Sequence, residues 1–247
     1  MAVTDRIALV TGASSGIGAA TVRALAGAGW QVHAVARRAD RLAELAAEVG
    51  AVAHALDITD TMALERLAVA VAPDLLVNNA GIGAGIAGLA GASEEDVART
   101  IGVNVTALLQ LLRVFLPGMR ARRRGHVVNI GSVAGLYPNQ SAIYGASKGA
   151  VRQLSRNLRL ELRGTGIRVT EIQPGRVATE FYDAAIPDDA ATRDRLKRTA
   201  IRELAPGDVA AAILYAVSAP AHVNVSAIEL QPTEQTFGGV FFDPLDA

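Results

Sequence analysis

Residues 141–151 read SAIYGASKGAV, with Tyr144 four positions before Lys148 among alanines, glycines and serines. On a helix, positions i and i+4 share a face, about 5–6 Å apart at Cβ. A phenol and an ammonium held that way form an acid–base pair, because a neighbouring cation favours the phenolate. An unassisted phenol, with a pKa near about 10, exchanges its proton too poorly near neutrality to serve such chemistry. The small neighbours leave room for a reactant. An ordinary amphipathic helix with Tyr and Lys on its wet side has the same spacing, so the rest of the chain must decide.

A second candidate lies near the N-terminus. TGASSGIG, residues 11–18, follows an apolar run and opens a helical pattern. Gly12 permits a tight turn, Gly16 lets the backbone approach a pyrophosphate, and Gly18 lets the helix pack closely on the strand. Backbone N–H groups and the positive helix end then receive phosphates, with Ser14, Ser15 and Ile17 in the same turn. The spacing is G-x-x-x-G-x-G. A plain strand–helix connection is the alternative, and position within the fold discriminates the two.

The elements that must hold these residues are legible as an alternation. Short runs rich in Val, Ile and Leu (RIALVTG, QVHAVA, AVAHALD, DLLVNNAG, GHVVNIGS, IRVTEIQPG and SAIELQP) are separated by longer helical patterns. Near-continuous apolar strands between helices predict a parallel sheet covered on both faces. The expected fold class is α/β: one Rossmann-type, doubly wound domain over residues 1–247, with about seven strands and no linker-like tract. The longest helices are expected around 95–122 and 143–163. The basic run RARRRG at 120–125 suits the C-terminal end of a helix, where cations complement the dipole.

Composition narrows the partners. The 24 Lys and Arg balance the 24 Asp and Glu, so no global field attracts nucleic acid or an anionic membrane. Cysteine is absent, which removes disulfide and thiolate chemistry and suits a cytoplasmic location. No uninterrupted apolar run approaches the roughly 18 residues of a membrane span, and the first residues do not resemble a signal peptide. The four histidines (His33, His54, His126 and His222) are scattered without ligand spacing, so no metal is expected.

Six motifs in order carry a resemblance: TGASSGIG at 11–18, NNAG at 78–81, Asn104 in GVNV, Ser132 in NIGSVAG, Tyr144 and Lys148 in YGASK, and PGRVAT at 174–179. Over essentially its whole length the chain resembles the short-chain dehydrogenase/reductase family. The resemblance implies hydride transfer between a nicotinamide cofactor and a carbonyl or alcohol, with Asn104, Ser132, Tyr144 and Lys148 catalytic. Tyr144 would exchange the proton, Lys148 would lower its pKa and bond the nicotinamide ribose, and Ser132 would polarise the substrate oxygen. The Asn104 backbone would hold a water that continues the proton path. By itself Ser132 reads as a helix or turn cap, and Asn104 as a helix bend or a satisfied polar position. By the same match Asp57 would meet the adenine, and Asn78, Ala80 and Gly81 the adenine–ribose side. Pro174, Gly175, Val177 and Thr179 would form the loop over the nicotinamide. A non-catalytic NADP-binding redox sensor on the same fold is the alternative function.

The cofactor preference is readable in VHAVARRADRL. Ala36 stands where NAD-binding chains place an acid on the ribose hydroxyls, and Arg37 and Arg38 follow. An arginine binds a 2′-phosphate through a planar fork of donors, so NADP(H) is the expected cofactor. Residues 180–200 fall at the family's variable substrate lid, and Tyr137, Asn139, Gln140, Arg176, Phe181 and Tyr182 are placed to border the pocket. The segment YAVSAPAHVNVSAIELQPTEQ resembles a branch containing NADP-dependent reductases of small hydroxy acids and of antibiotic-pathway aldehydes. Broad apolar helix faces and the family's habit imply a homotetramer, with a dimer as the alternative. The tail at about 233–247, with three phenylalanines, is expected on a neighbouring subunit or over the pocket.

Overall fold

All seven apolar runs form strands: β1 (Ile7–Thr11), β2 (Gln31–Ala36), β3 (Val52–Ala55), β4 (Leu75–Asn78), β5 (Gly125–Ile130), β6 (Ile167–Pro174) and β7 (Ala227–Leu230). A computed structural model describes residues 6–186 and 188–235. The strands make one parallel sheet in the order β3-β2-β1-β4-β5-β6-β7. Alternate residues of each strand feed opposite faces. Ala8 and Val10 pack on one side with Val22 and Leu25 of α1 (Gly16–Gly27), Leu42 of α2 (Ala39–Val49), and Val209 and Ile213 of α9 (Pro206–Ser218). Leu9 faces the other side, with Leu64 of α3 (Thr61–Ala70), Leu111 and Phe115 of α5 (Leu108–Arg122), and Val151 and Leu158 of α6 (Ala142–Glu161). Burial on both faces is why the central strands β1, β4, β5 and β6 read as unbroken apolar runs, whereas the edge strands β3 and β7 are largely exposed.

Strand order reverses between β1 and β4, which opens a crevice at the carboxyl ends of these two strands. The glycine turn follows β1, the NNAG loop follows β4, and Ser132 follows β5, so topology alone brings these segments to one edge. Local chemistry sets the helix ends. Asp60 caps α3 by accepting from Ala63 N, Ser93 and Asp96 form a capping box on α4 (Glu94–Ile101), and Ser141 caps α6. The basic run closes α5: Arg123 takes φ 52°, Arg122 donates to Pro73 O and Arg124 pairs with Asp74. The segment expected as a lid carries α7 (Phe181–Ala185) and α8 (Ala190–Lys197).

The helical run from Glu94 to Arg122 departs from expectation in two ways. It is interrupted by a π-helical stretch, Gly102–Ala107, that contains Asn104. By length and composition it is also apolar enough to cross a membrane, although the sequence shows no unbroken apolar run of that length. A window average tolerates isolated polar residues; a run does not. Leu108, Leu111, Leu112, Phe115 and Met119 pack this helix on the sheet as a core element.

Candidate active site

The glycine turn is tight because nothing larger fits. Gly12 has φ 65°, and a Cβ there would lie 2.8 Å from Ala80 Cα. A Cβ at Gly18 would lie 2.2 Å from Gly12 O, so Gly18 seats α1 on the turn. Thr11 Oγ1 accepts from the N–H groups of Asn79 and Ala80, and Asn79 Nδ2 donates to Thr11 O, which ties the turn to the β4 loop. The first turn of α1 carries no acidic residue, and the Ser15 side chain makes no cap bond. These features leave the helix end available to an anion.

A cleft of about 960 Å³ runs from this turn across the strand ends to the lid. It is lined by Gly12, Ser14, Ser15, Gly16, Ile17, Arg37, Arg38, Asp57, Ala80, Gly81, Ser132, Tyr144, Lys148, Pro174, Gly175, Val177 and Thr179, seventeen of the positions expected from sequence. Three expected residues do not line it. Gly18 supports the turn from behind. Asn78 is the last residue of β4 and lies buried, with its Nδ2 donating to Asn129 Oδ1 of β5. Its neighbour Asn79 takes the place at the cleft, since one residue along a strand reverses the face. Asn104 is buried beneath the wall: its Oδ1 accepts from Ile82 N, and its Nδ2 donates to Ile82 O and Ser147 Oγ.

Ser132, Tyr144 and Lys148 meet on one wall. Ser132 Oγ accepts from Ala134 N at 3.1 Å, capping the short turn Val133–Gly135, and lies 3.4 Å from Pro174 O. The Tyr144 ring stands 5.3 Å from Phe181 and 5.7 Å from Lys148 Nζ, which donates to Ile130 O at 2.8 Å. Burial lowers the Lys148 pKa to about 8, against an opposing pull from the Glu171 carboxylate. Burial likewise raises the Tyr144 pKa, partly countered by the Ser132 hydroxyl. The expected depression of the phenol by Lys148 is therefore absent from this arrangement. The ammonium is turned to a backbone carbonyl, and desolvation of the phenolate outweighs what its neighbours return.

The adenosine end is strongly polar. Arg38 donates from Nε to Ser14 Oγ at 3.1 Å and from Nη2 to Ser15 Oγ at 2.5 Å. Arg37 lies over Asp57, with Nη1 3.8 Å from Oδ2. With Ala36 at the strand end, this cluster fits a ribose 2′-phosphate. Sequence reasoning missed Glu180, which accepts from Arg38 and from Arg41, and it missed Arg195 and Arg198, which line the cleft from the lid side. Arg176 borders the cleft but is committed to Glu203 and stacks on Tyr182. Asn139, Gln140, Phe181 and Tyr182 line the cleft as expected, whereas Tyr137 turns away to bond Glu229. Gln235 lines the cleft and accepts from Arg176 N; residues 236–247, with the three expected tail phenylalanines, lie outside those described.

Two of the histidines are closer than sequence suggested. His33 Nδ1 and His54 Nε2 are 2.9 Å apart with stacked rings, because β2 and β3 pair so that His33, opposite Val52, and His54, opposite Val35, are diagonal neighbours on one face. Among the described residues no group of three or more His, Asp or Glu side chains is placed to hold a metal.

A nucleotide-sized cleft at the sheet's switch point, with serine, tyrosine and lysine on its far wall, defines an oxidoreductase built for a dinucleotide. The chain belongs to the short-chain dehydrogenases: the family model of that description matches residues 6–190. It is 38% identical over 243 residues to the NADP-dependent 3-hydroxy acid dehydrogenase YdfG of Escherichia coli (strain K12), covering 95% of this chain and 98% of the relative. It is 39% identical over 240 residues to the serine 3-dehydrogenase of Agrobacterium fabrum (strain C58 / ATCC 33970), covering 94% and 95%. A structure of the closed form of serine dehydrogenase complexed with NADP+ superposes with a TM-score of 0.89 at 38% identity, over 95% of this chain and 98% of that one.

Proposed function

We propose that this enzyme interconverts a short 3-hydroxy acid and its 3-oxo counterpart with NADP(H). The observation that carries the reading is the convergence of Ser132, Tyr144 and Lys148 on the same cleft as the Arg38–Ser14–Ser15 cluster. Similarity to proteins named for 3-hydroxy acid and serine 3-dehydrogenase activities supports the substrate class. Arg195 and Arg198 at the cleft are the side chains suited to a substrate carboxylate.

The turn Gly12–Gly18 and the N-terminus of α1 would hold the pyrophosphate, Arg38 with Ser14 and Ser15 would hold the 2′-phosphate, and Val177 and Thr179 would hold the nicotinamide end. When bound, the nicotinamide supplies or accepts the hydride. In the reducing direction Tyr144 gives its phenolic proton to the substrate oxygen, and Ser132 Oγ donates a hydrogen bond to that oxygen as charge develops. Lys148, one helical turn along and with its ammonium held by Ile130 O, would orient the ribose. Asn104, whose side chain is taken up by Ile82 and Ser147, offers its backbone to a proton-relaying water.

The test is a panel of short 3-hydroxy acids with NADP+ and 3-oxo acids with NADPH, followed by cofactor absorbance. Turnover of three- to five-carbon members is the expected result. An enzyme inert to acids but active on neutral ketones overturns the substrate class, and no turnover at all returns the sensor reading. The same proposal includes one domain over the whole chain, a cytoplasmic location and a homotetramer. Leu109 of α5, Leu160 of α6 and Tyr215 of α9 are exposed on faces available to other subunits. A monomer mass by light scattering at micromolar concentration refutes the assembly.

A further inference from the structure

Glu180 begins the lid and reaches back 142 residues to the adenosine end of the cleft. Its Oε2 accepts from Arg38 Nη1 at 3.1 Å, and both carboxylate oxygens accept from Arg41 Nη1, at 2.9 and 2.7 Å. The Nε and Nη2 groups of the same Arg38 are given to Ser14 and Ser15. Hydrogen bonds from Arg41 and Arg38 hold the Glu180 carboxyl below the usual carboxylate range, so it is an anion near neutrality. The cluster is therefore an anion seat of two guanidinium groups and two hydroxyls in which one place is taken by a carboxylate of the chain itself.

We propose that Glu180 is an internal competitor for the 2′-phosphate of NADP(H), occupying the Arg38–Arg41 seat and yielding it when the phosphate binds. The inference rests on the reading that Arg38 receives the 2′-phosphate. A phosphate monoester carries between one and two negative charges near neutrality, and like charges around one guanidinium repel. Sequence position gives Glu180 its leverage. It joins Thr179, which packs over Gly16, to Phe181, which packs on Tyr144. Glu180 thereby sets how tightly the enzyme holds NADP(H), and it does so without touching NAD(H).

Binding of adenosine 2′,5′-bisphosphate and of 5′-AMP, measured by calorimetry on the full chain, isolates the 2′-phosphate from hydride chemistry. Glu180→Gln keeps the shape of the side chain and removes its charge. Its side chain is 51% exposed, so the fold does not depend on it. The Kd for the bisphosphate should fall about fivefold, the scale of an exposed charge pair, and that for 5′-AMP should stay within about twofold. The gain should shrink as ionic strength rises. Weaker or unchanged bisphosphate binding overturns the proposal, weaker binding meaning that Glu180 orients Arg38 for the phosphate. Arg38→Gln separates the two levels. If it leaves bisphosphate affinity unchanged, the seat itself is misread and the competitor falls with it. If it weakens binding while Glu180→Gln does nothing, only the competitor is wrong.

Discussion

Replacing Arg38 with alanine should cost this enzyme its preference for NADPH while sparing NADH. The structure ranks Arg38 above Arg37 for this role. Arg38 is forked onto the hydroxyls of Ser14 and Ser15, within the phosphate-binding turn, whereas Arg37 stands over Asp57 with only a 3.8 Å contact. A hydrogen bond to a charged group contributes about 1.5–3 kcal/mol. The Arg38 side chain is 43% exposed, and solvent screening places it at the lower end. A loss of about 1.5 kcal/mol is a little over tenfold in kcat/KM for NADPH. For NADH, which lacks the phosphate, the change should stay within about twofold. Arg37→Ala should have a smaller effect, about threefold, because its guanidinium is shared with Asp57. Initial rates with both cofactors at fixed substrate give the four ratios, and low ionic strength should enlarge the Arg38 effect. Equal losses with NADPH and NADH would show that Arg38 only shapes the turn. Indifference of both arginine variants would show that this end of the cleft does not read the 2′-phosphate, and a wild type that prefers neither cofactor would say the same.

Three further outcomes are expected. Tyr144→Phe removes one oxygen from a packed ring, so turnover should drop about 10²–10⁴-fold with NADPH affinity retained; more than about a tenth of wild-type kcat/KM remaining would remove Tyr144 from the proton path. Lys148, lowered to about 8 by burial, is an ammonium below that pH and loses its charge above it. A pH profile of kcat/KM for NADPH should therefore fall through about pH 8, and a flat profile to about pH 10 would contradict the role given to Lys148. His126 is buried against Thr170 and lowered to about 3, so the unfolded chain binds a proton between its ordinary pKa and that value while the folded chain does not. Stability from this group is present above about pH 6.5 and is lost as pH falls, by about 2 kcal/mol at pH 5. Denaturant melts of wild type and His126→Gln should differ in slope with pH by that amount, and parallel slopes would exclude the mechanism.

Strands and site were legible for one reason: both are written in local residue types. Val-, Ile- and Leu-rich runs between helices leave few alternatives to parallel strands, and all seven appear where the runs lie, five buried and the edge strands β3 and β7 largely exposed. The glycines of the turn announce themselves because only glycine fits a Cβ space of 2.2–2.8 Å. What escaped was set by distant neighbours or by parity. Glu180 meets Arg41 across 139 residues, and no local pattern marks that partnership. Asn78 and Asn79 are adjacent and chemically identical, and only strand parity places the first against Asn129 and the second at the cleft. Parity could not be read from the sequence here, because all four residues of β4 are buried and the run shows no alternation. The π-helical stretch was no more legible, since its only local signal is an asparagine following Gly102 and Val103 in an otherwise apolar helix.

That asparagine, placed outside the cleft, has a structural task that the hydrogen bonds define. Asn104 binds both backbone groups of Ile82, in the loop after β4, and the hydroxyl of Ser147 on α6. Ser147 in turn donates to Tyr144 O, and its backbone neighbour is Lys148. One side chain therefore braces three elements: the loop after β4, the helix that carries the π-helical turn, and α6, which carries Tyr144 and Lys148. A regular α-helix pairs each carbonyl with the amide four residues on; a π-helical turn breaks that register and changes where the carbonyls of residues 102–107 point. The distortion is local and is held by the three hydrogen bonds of the Asn104 amide. An aspartate could accept from Ile82 N but could not donate to Ile82 O or to Ser147. Leucine would supply none of the three bonds and would leave the part-buried N–H and C=O of Ile82 unpaired, at a cost near the lower end of about 1–3 kcal/mol each. An amide at position 104 is thus the side chain that makes all three bonds, and the brace ties the loop after β4 to the helix of Tyr144 and Lys148.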